Sequence, residues 1–509
     1  MGSTNILSLD QGTTGSTASL MDGKGLVSGR ADLDFRQYFP EPGWVEHKPD
    51  DIWKSLVEPV QSVIKKTRVK PGSISAIGIT NQRETVVIWD RKTGRPVYNA
   101  IVWQDRRTTE VCERLKSEGV EAMLREKTGL VIDPYFSATK LAWILDHVSG
   151  ARSRAERGEL AAGTIDTYVL WKLSGGKVHR TDVSNASRTQ LMSLATCDWD
   201  EDLLRLFKVP REILPEICDS NAMFGETSGL RFLPDGIPIT GIAGDQQAAL
   251  FGQLCLRVGE AKCTFGTGSF LLMNTGSEKL RSKAGLLTTV AWRLRGEKQA
   301  TYALEGGAFV CGAAVQFLRD QLGFIKDSSE VEKLASSVKD SGGVEFVPAL
   351  TGLGAPYWDP RARGLICGLT RGTTRAHIAR ATLEAMALQN AEILLAMDED
   401  LRRGSSGSKD APQLSRVLVD GGASANNLLM QMQADVLGTN VVRPKNIETT
   451  SAGAAFLAGL GVGVFASTAT LKNLWRADKT FSPKMKDEDR QARLQRWRTA
   501  IRRATLTEA

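Results

Sequence analysis

Several short stretches of this chain combine residue types that bind phosphate or move protons. The first is Asp10-Gln11-Gly12-Thr13-Thr14-Gly15-Ser16, where an apolar run ends at a carboxylate and a turn of Gly and hydroxyl residues follows. The chain then resumes an apolar–polar alternation that ends at Asp22-Gly23. This pattern predicts a β-hairpin whose tight loop presents backbone N–H groups and hydroxyls. Such a loop suits phosphate oxygens, because Gly lets the backbone come close and the hydroxyls add donors. Asp10, at the strand end, is placed to hold the hydrated Mg²⁺ that accompanies a nucleoside triphosphate. Taken alone, the same residues also describe a plain turn. The grammar returns, however, in Ala261-Lys262-Cys263-Thr264-Phe265-Gly266-Thr267-Gly268-Ser269-Phe270. Two copies about half a chain apart predict an internally duplicated fold with nucleotide between the halves.

Other stretches pair a strand with a polar tip. Ile239 to Leu250 reads as a strand, a Gly turn carrying Asp245, and a helix start, so Asp245 lies where backbone N–H groups converge. A helix N-cap is the plain alternative for it. Asn81-Gln82-Arg83-Glu84 forms the tip between strands at 75–80 and 85–90, with an exposed loop ion pair as the plain alternative for Arg83 and Glu84. Leu414 to Asn427 is a further strand, Gly turn and polar helix start, a natural shelf for adenosine because Gly lets a flat base lie on the backbone. No G-x-x-x-x-G-K-[ST] occurs, and Gly459-x-Gly461-x-Gly463 is too loosely placed for a dinucleotide fingerprint.

The elements that must position these tips follow from length and periodicity. A chain of 509 residues exceeds what one core supports, so two domains of comparable size are expected. An apolar fraction of 42% and a charged fraction of 24% are those of a soluble globular protein. The net charge of +7 favours anionic partners; without runs of Lys/Arg, that means phosphorylated metabolites rather than nucleic acid. Seven scattered cysteines with no C-x-x-C pair argue for reduced thiols, and against a zinc site or a disulfide scaffold. Helical spacing is seen at 52–65, 108–117 and 137–148, the last with Ser137 as N-cap, and again at 312–318 and 377–397. Arg402 to Pro412 reads as a solvated loop. Thr449 to Leu471 lacks charge, but its Gly, Ala, Ser and Thr predict a tightly packed buried helix rather than a membrane span. In the helix at 487–504, Leu494, Trp497 and Ile501 are expected to pack while its many Arg stay solvated. Strands interrupted by helices argue for α/β layers.

At this point the sequence resembles the FGGY family of carbohydrate kinases over essentially its whole length. Tyr135-x-Ser137-x-x-Lys140-Leu141-x-Trp143-Ile144-x-Asp146-His147 is similar to one family signature. Gly364-x-Ile366-x-Gly368-Leu369, followed by His377-Ile378-x-x-Ala381-Thr382-Leu383-Glu384, is similar to the second. Asp10 to Thr14, Asn81 to Thr85, Trp103-Gln104-Asp105-Arg106 and Gly244 to Gln247 look most like its glycerol-phosphorylating members. The resemblance implies two domains, 1–252 and 253–509, each an actin/hexokinase-type (ribonuclease H-like) ATPase core, with an active-site cleft between them. It implies ATP and Mg²⁺ as cofactors, glycerol and glycerol 3-phosphate as ligands, and a homodimer or homotetramer.

Residue by residue, the resemblance makes Asp245 the general base and Arg83, Glu84, Trp103, Tyr135, Gln246 and Phe270 the polyol contacts. For Trp103 and Phe270, ordinary core packing stays open. Thr13, Thr14, Gly15, Gly266 and Thr267 match the two phosphate hairpins, Gly312, Gln316, Gly422 and Asn426 match positions around the nucleotide, and Asp10 matches the metal site. Two departures stand out. Thr17 stands where many members of that branch carry Arg. Thr227 to Asp235 replaces the Gly- and Lys-rich loop by which bacterial relatives bind an inhibitory sugar bisphosphate, so that regulation is expected to be lost. Another polyol or sugar kinase is the neighbouring alternative. A non-catalytic ATP sensor or chaperone-like ATPase is the distant one, disfavoured by the intact base and polyol residues. The terminal Thr507-Glu508-Ala509 is no peroxisomal address, which suggests the cytoplasm, with a glycosome-like microbody as the alternative if a targeting tripeptide is missing.

Overall fold

Both Gly/Thr hairpins form, and each lies within its own sheet. The computed structural model describes residues 4–404 and 411–505. In it, Asn5–Gln11 pairs antiparallel with Gly15–Asp22, with Gln11 opposite Ser16. Glu260–Phe265 pairs antiparallel with Ser269–Gly276, with Phe265 opposite Ser269. The loops between are three residues long in both, closed by Gly12 N–H on Gly15 O and by Gly266 N–H on Gly268 O, each at 2.9 Å.

The strands around the hairpins repeat as well. From edge to edge the first sheet runs Val27–Asp34, Gly15–Asp22, Asn5–Gln11, Ile74–Asn81, Pro238–Gly244, Gly225–Glu226. Six strands of the second sheet run Thr301–Ala308, Ser269–Gly276, Glu260–Phe265, Arg416–Asp420, Val441–Pro444, Ala477–Phe481. In both, the hairpin's first strand has a parallel neighbour, that neighbour has a second parallel one, and an antiparallel strand closes the edge. The duplication read from two loops therefore extends to five strands in the same order; the sixth precedes its neighbour in the chain in the first sheet and follows it in the second.

The chain packs as two units: Met1–Leu254 with Thr288–Tyr302 and Thr449–Trp475, and Cys255–Leu287 with Ala303–Glu448 and Arg476–Ala509. The chain first leaves the first unit after Leu254, two residues beyond the expected cut at 252/253, and two later segments return to it. The reason is visible for the Thr449–Gly461 helix. Its small residues let it lie directly on the first sheet, where Ser8 Oγ donates to Ser451 O at 2.8 Å and Thr240 Oγ1 to Ala458 O at 2.9 Å. A Cβ on Gly78 would collide with Ala454 O, so the approach requires glycine there. This is the buried helix the composition predicts, but it ends at Gly461, and the rest of the stretch to Leu471 turns into a second short helix, Thr468–Lys472. Among the described residues no helix is long and apolar enough to cross a membrane.

Apolar strand residues such as Leu7, Leu9, Ile77, Ile79 and Ile242 form the first core, with Ile52, Leu56, Val60 and Val63 of the Pro49–Thr67 helix. In the second unit the Arg375–Gly404 helix supplies Leu383, Met386, Leu388, Ile393 and Leu394. The Asp487–Thr505 helix packs through Leu494, Trp497 and Ile501, as its stripe predicts. Its Arg face is not wholly solvated: Arg493 is buried and bonds Glu345 and Glu384, each within 3.2 Å. Thr507 to Ala509 and most of the loop read at 402–412 lie outside the described residues.

Candidate active site

Three strand ends of the first sheet carry the charged tips. Asn5–Gln11 ends beside Asp10, Ile74–Asn81 runs into Gln82-Arg83-Glu84, and Pro238–Gly244 runs into Asp245. The ends lie together because these strands are neighbours and parallel where they pair with Ile74–Asn81. Ligands of open α/β sheets collect at such carboxyl ends.

Arg83 is the hub. Its Nε lies 3.2 Å from Asp245 Oδ1, its Nη1 donates to Gln247 Oε1 at 3.2 Å, and its Nη2 donates to the Tyr135 hydroxyl at 3.4 Å. The Arg83 side chain is only 2% exposed, so the exposed-loop reading of Arg83 and Glu84 does not hold. They are also not each other's main partner: Arg83 Nε is 3.9 Å from Glu84 Oε1, whereas Arg188 Nε donates to the same oxygen at 2.7 Å. Burying a carboxylate demands such a cation, and Arg188 is fully buried with it. Glu84 has φ = 61°, a left-handed conformation that costs a non-Gly residue free energy and clusters at working sites.

Asp245 opens the Asp245–Gly252 helix with its side chain 31% exposed. The N-cap is Gly244, not Asp245; the carboxylate Oδ1 instead accepts from the adjacent Gln246 N–H at 2.7 Å. Gln246 is half-buried beside it, but the glutamine that braces Arg83 is Gln247. Gln247 is anchored by donating to Thr289 Oγ1 and Val290 O, which explains why the 288–302 segment packs in this unit.

Trp103 joins the tips to the first hairpin. Its Nε1 donates to Thr13 Oγ1 at 2.9 Å, and its ring meets that of Tyr135 edge-on at 5.6 Å. The hairpin loop is braced from outside: Gln11 Nε2 donates to Gly12 O at 2.7 Å and Gln37 Nε2 to Thr13 O at 2.8 Å. Loop carbonyls that would repel phosphate are thereby occupied. Thr14 is exposed at the loop end, and Gly15 packs against the Asp34 side chain. Asp10 stands in register with Thr17 and Thr80, and Ser451 Oγ donates to its Oδ2 at 3.4 Å.

Ser137 does not cap its helix. The cap position is Phe136, and Ser137 Oγ donates to Glu84 O at 3.1 Å, holding the strained tip from behind. Lys140, one turn further on, is wholly buried.

The nucleotide-side candidates of the second unit form their own arrangement. Gly312 N–H donates to Gly266 O at 2.9 Å, and the Cys311 and Ala313 N–H groups to Thr267 O, so the second hairpin abuts the start of the Gly312–Asp320 helix. Gln316 projects from that helix exposed. Gly421 has φ = 83°, and a Cβ there would lie 2.6 Å from Phe265 O; a Cβ on Gly422 would meet nothing within 4 Å. Gly422 is therefore an open shelf beside the hairpin. Asn426 caps the Asn427–Leu437 helix, its Oδ1 accepting from Leu429 N–H at 2.9 Å. Phe270 lies in this second unit, on the strand leaving the hairpin.

Arg188 holds Glu84, Gln247 holds Arg83 and Lys140 donates to the Tyr135 carbonyl, and the motifs assigned none of the three a role. Lys140 was legible as a motif position, and Gln247 as a neighbour of Asp245. Arg188 carries no local signal, because its partner lies 104 residues earlier.

The N-terminal domain model of the FGGY family of carbohydrate kinases matches residues 5–252, and the C-terminal domain model matches residues 261–462. A glycerol kinase of Bdellovibrio bacteriovorus is 58% identical over 98% of this chain and 99% of its own length. One of Myxococcus xanthus is 56% identical over the same shares. Among solved structures, the glycerol kinase of Plasmodium falciparum with ADP is similar at a TM-score of 0.91 and 36% identity, covering 99% of both chains. A gluconate kinase from Lactobacillus acidophilus shares the fold at a TM-score of 0.86 and 20% identity, over 98% of this chain and 97% of its own.

Proposed function

The chain belongs to the FGGY family of carbohydrate kinases, and from that premise we propose that it transfers the γ-phosphoryl group of ATP to glycerol, giving glycerol 3-phosphate and ADP. The observation that carries the reading is the Arg83 hub, which ties Asp245, Gln247 and Tyr135 to one guanidinium. Phosphoryl transfer asks little covalent chemistry of the protein. It needs the hydroxyl aimed, its proton accepted and the phosphate charge met.

In this reading Asp245 accepts the proton of the reacting hydroxyl. Its Oδ1 is engaged by Arg83 and by the Gln246 N–H, which fixes the carboxylate and leaves Oδ2 to face the alcohol. Arg83, Glu84 and Tyr135 bind the remaining hydroxyls, and Gln246 adds a further polar contact. Their orientations are set before substrate arrives, because Arg188 holds Glu84 and Gln247 holds Arg83. Such a site rejects analogues that leave its buried polar groups unpaired. Trp103 covers the C–H face of the polyol while its indole N–H keeps Thr13 in place. Phe270 is the second aromatic assigned to that role.

The first hairpin (Thr13, Thr14, Gly15) and the second (Gly266, Thr267) supply phosphate donors, and Gly312, Gln316, Gly422 and Asn426 surround the nucleoside. The donor set fits Mg²⁺ in its hydrated form: Asp10 is a single carboxylate beside a phosphate loop. Among the described residues no three acidic, His or Cys side chains form a cage. A Mg²⁺ held through waters and phosphates asks no more of the protein. When bound, the ion neutralises charge on the transferring phosphates. A cytoplasmic setting and a homodimer or homotetramer belong to the same proposal and rest on the family.

A panel of polyols and sugars assayed with ATP and Mg²⁺ tests the reading. Glycerol is expected to give the highest kcat/KM with glycerol 3-phosphate as product; a pentulose or aldonate turned over faster would sink it.

A further inference from the structure

Lys140 is the most unusual buried group that the proposed chemistry leaves unused. It sits one turn into the Ser137–His147 helix, fully enclosed. Its Nζ donates to the carbonyl oxygens of Pro134, Tyr135 and Phe136 at 3.0, 2.6 and 2.8 Å. An ammonium has three N–H donors and no acceptor, so three converging carbonyls match its charged form. A neutral amine would supply two donors and aim a lone pair at the third oxygen. Enclosing a charge is expensive, and an apolar side chain of similar volume would fill the same space.

What the charge secures is the backbone that carries Tyr135. That stretch is gripped from the other side as well: Tyr135 N–H donates to Asp133 Oδ1 at 2.8 Å, and Arg106 Nη1 donates to the same oxygen at 2.8 Å. The Tyr135 hydroxyl ends on Arg83, and its ring on Trp103. We propose that Lys140 is a positioning residue for the polyol site, its ammonium fixing the Pro134–Phe136 backbone so that the Tyr135 hydroxyl stays against Arg83. The inference rests on the reading of Tyr135 as a polyol contact.

The surroundings make this grip sensitive to pH. Burial pushes Lys140 down to about 7, against the pull of Glu84, Asp105, Asp133 and the Cys112 thiol, which face it from four other segments. Burial pushes that thiol up to about 12, so it carries no charge near neutrality. Arg106, bound to Asp133, and Arg188, whose guanidinium lies 5.4 Å from the Phe136 ring, are the cations close by. The third donor is therefore lost as pH rises through neutrality.

Steady-state kinetics of the full-length enzyme test this, with glycerol and ATP varied separately from about pH 6 to about pH 8.5, a window spanning the loss of that proton. The wild-type KM for glycerol is expected to rise several-fold across the window while the KM for ATP stays level. Lys140→Gln, a neutral donor, is expected to show a glycerol KM raised about ten-fold at the acid end, the loss of roughly one charged hydrogen bond, and no further rise with pH. Its kcat and ATP KM should be nearly unchanged. In a Tyr135→Phe background the same substitution should add nothing. A Lys140→Gln enzyme with a normal glycerol KM overturns the inference, and so does one that melts earlier with both KM values intact; a flat wild-type profile removes only the pH dependence. If Lys140→Gln fails to fold, Lys140→Met, which keeps the volume and supplies no donor, takes its place, with the same rise in glycerol KM expected and a normal glycerol KM again overturning the inference. Tyr135→Phe with an unchanged glycerol KM would instead remove the reading of Tyr135 itself, a result distinct from a normal glycerol KM in Lys140→Gln alone.

Discussion

The two sheets share the order of five strands and differ at their tips. In the first, the strand entering the hairpin carries the carboxylate, Asp10, opposite the hydroxyl of Thr80 on its parallel neighbour. In the second the pair is exchanged: Thr264 stands opposite Asp420. The neighbour strand then ends in Gln82-Arg83-Glu84 in one unit and in Gly421-Gly422 in the other. The next parallel strand runs into Asp245 in the first unit and into Lys445, whose N–H donates to Arg476 O, in the second. One backbone plan thus carries two kinds of tip. The first unit presents buried, cross-braced side chains, which suits a small polyol and a proton. The second presents glycine backbone, which suits a flat base and phosphates.

Breaking the contrast where it is sharpest gives the largest effect. Asp245→Asn keeps the size and removes the proton acceptor, so kcat is expected to fall about 10³-fold, within the range of general-base contributions. ADP binding measured by calorimetry should be unchanged, because the proposal assigns the nucleotide to other tips. Full turnover by this variant would refute the assignment of Asp245. Next comes Arg188→Met, which removes the nearer of the two guanidinium groups beside buried Glu84. A loss of about 3–5 kcal/mol is expected in urea unfolding, together with a raised glycerol KM. A loss under about 1 kcal/mol would put Arg188 among ordinary surface-type pairs and weaken the case for a braced first unit.

The second unit is tested by two adjacent glycines. Gly421→Ala meets both a positive φ and the Phe265 carbonyl, so about 1–3 kcal/mol of stability should go, and nucleotide affinity with it. Gly422→Ala meets open space, so stability should move by less than about 0.5 kcal/mol while ATP affinity falls, because the added methyl stands on the shelf. Equal destabilisation by both would show that Gly422 serves the fold and not the ligand.

Much of this contrast was legible in the sequence, because hairpin loops and strand–turn–helix tips are local patterns. Asp10 to Ser16, Gly266 to Ser269 and Asp245 announce themselves within a dozen residues. What braces them does not. Arg188 reaches Glu84 across 104 residues and Ser8 reaches Ser451 across 443, and no periodicity encodes such distances. The composition of 449–471 marked a buried helix but not the sheet it would cover, so its return to the first unit was invisible. Ser137 misled for a physical reason: a hydroxyl at a helix start satisfies the N-cap pattern, yet here it is drawn to the Glu84 carbonyl. Arg83 and Glu84 read as neighbours in sequence and therefore as partners, while the fold gives each a better one.

A last test concerns what the first unit's buried charge costs. Asp166 is fully buried, and burial pushes its carboxyl up to about 6, outweighing the hydroxyls of Thr164 and Thr181 that hold its oxygens. The unfolded chain ionises near 3.8, so between the two values the native state binds more protons. Stability from this group is therefore intact below the lower value and falls as pH rises through the window. A displacement of about two pKa units corresponds to about 3 kcal/mol at most. Asp166→Asn, which keeps the hydrogen-bonding shape without the charge, should flatten the difference in unfolding free energy between about pH 4 and about pH 7 relative to the wild type. Glu345 of the second unit is raised by burial too, but Arg493 bonds it directly, so Glu345→Gln should cost stability instead of relieving it. Opposite signs for these two substitutions would extend the contrast between the units from their tips to their interiors, and matching signs would confine it to the tips.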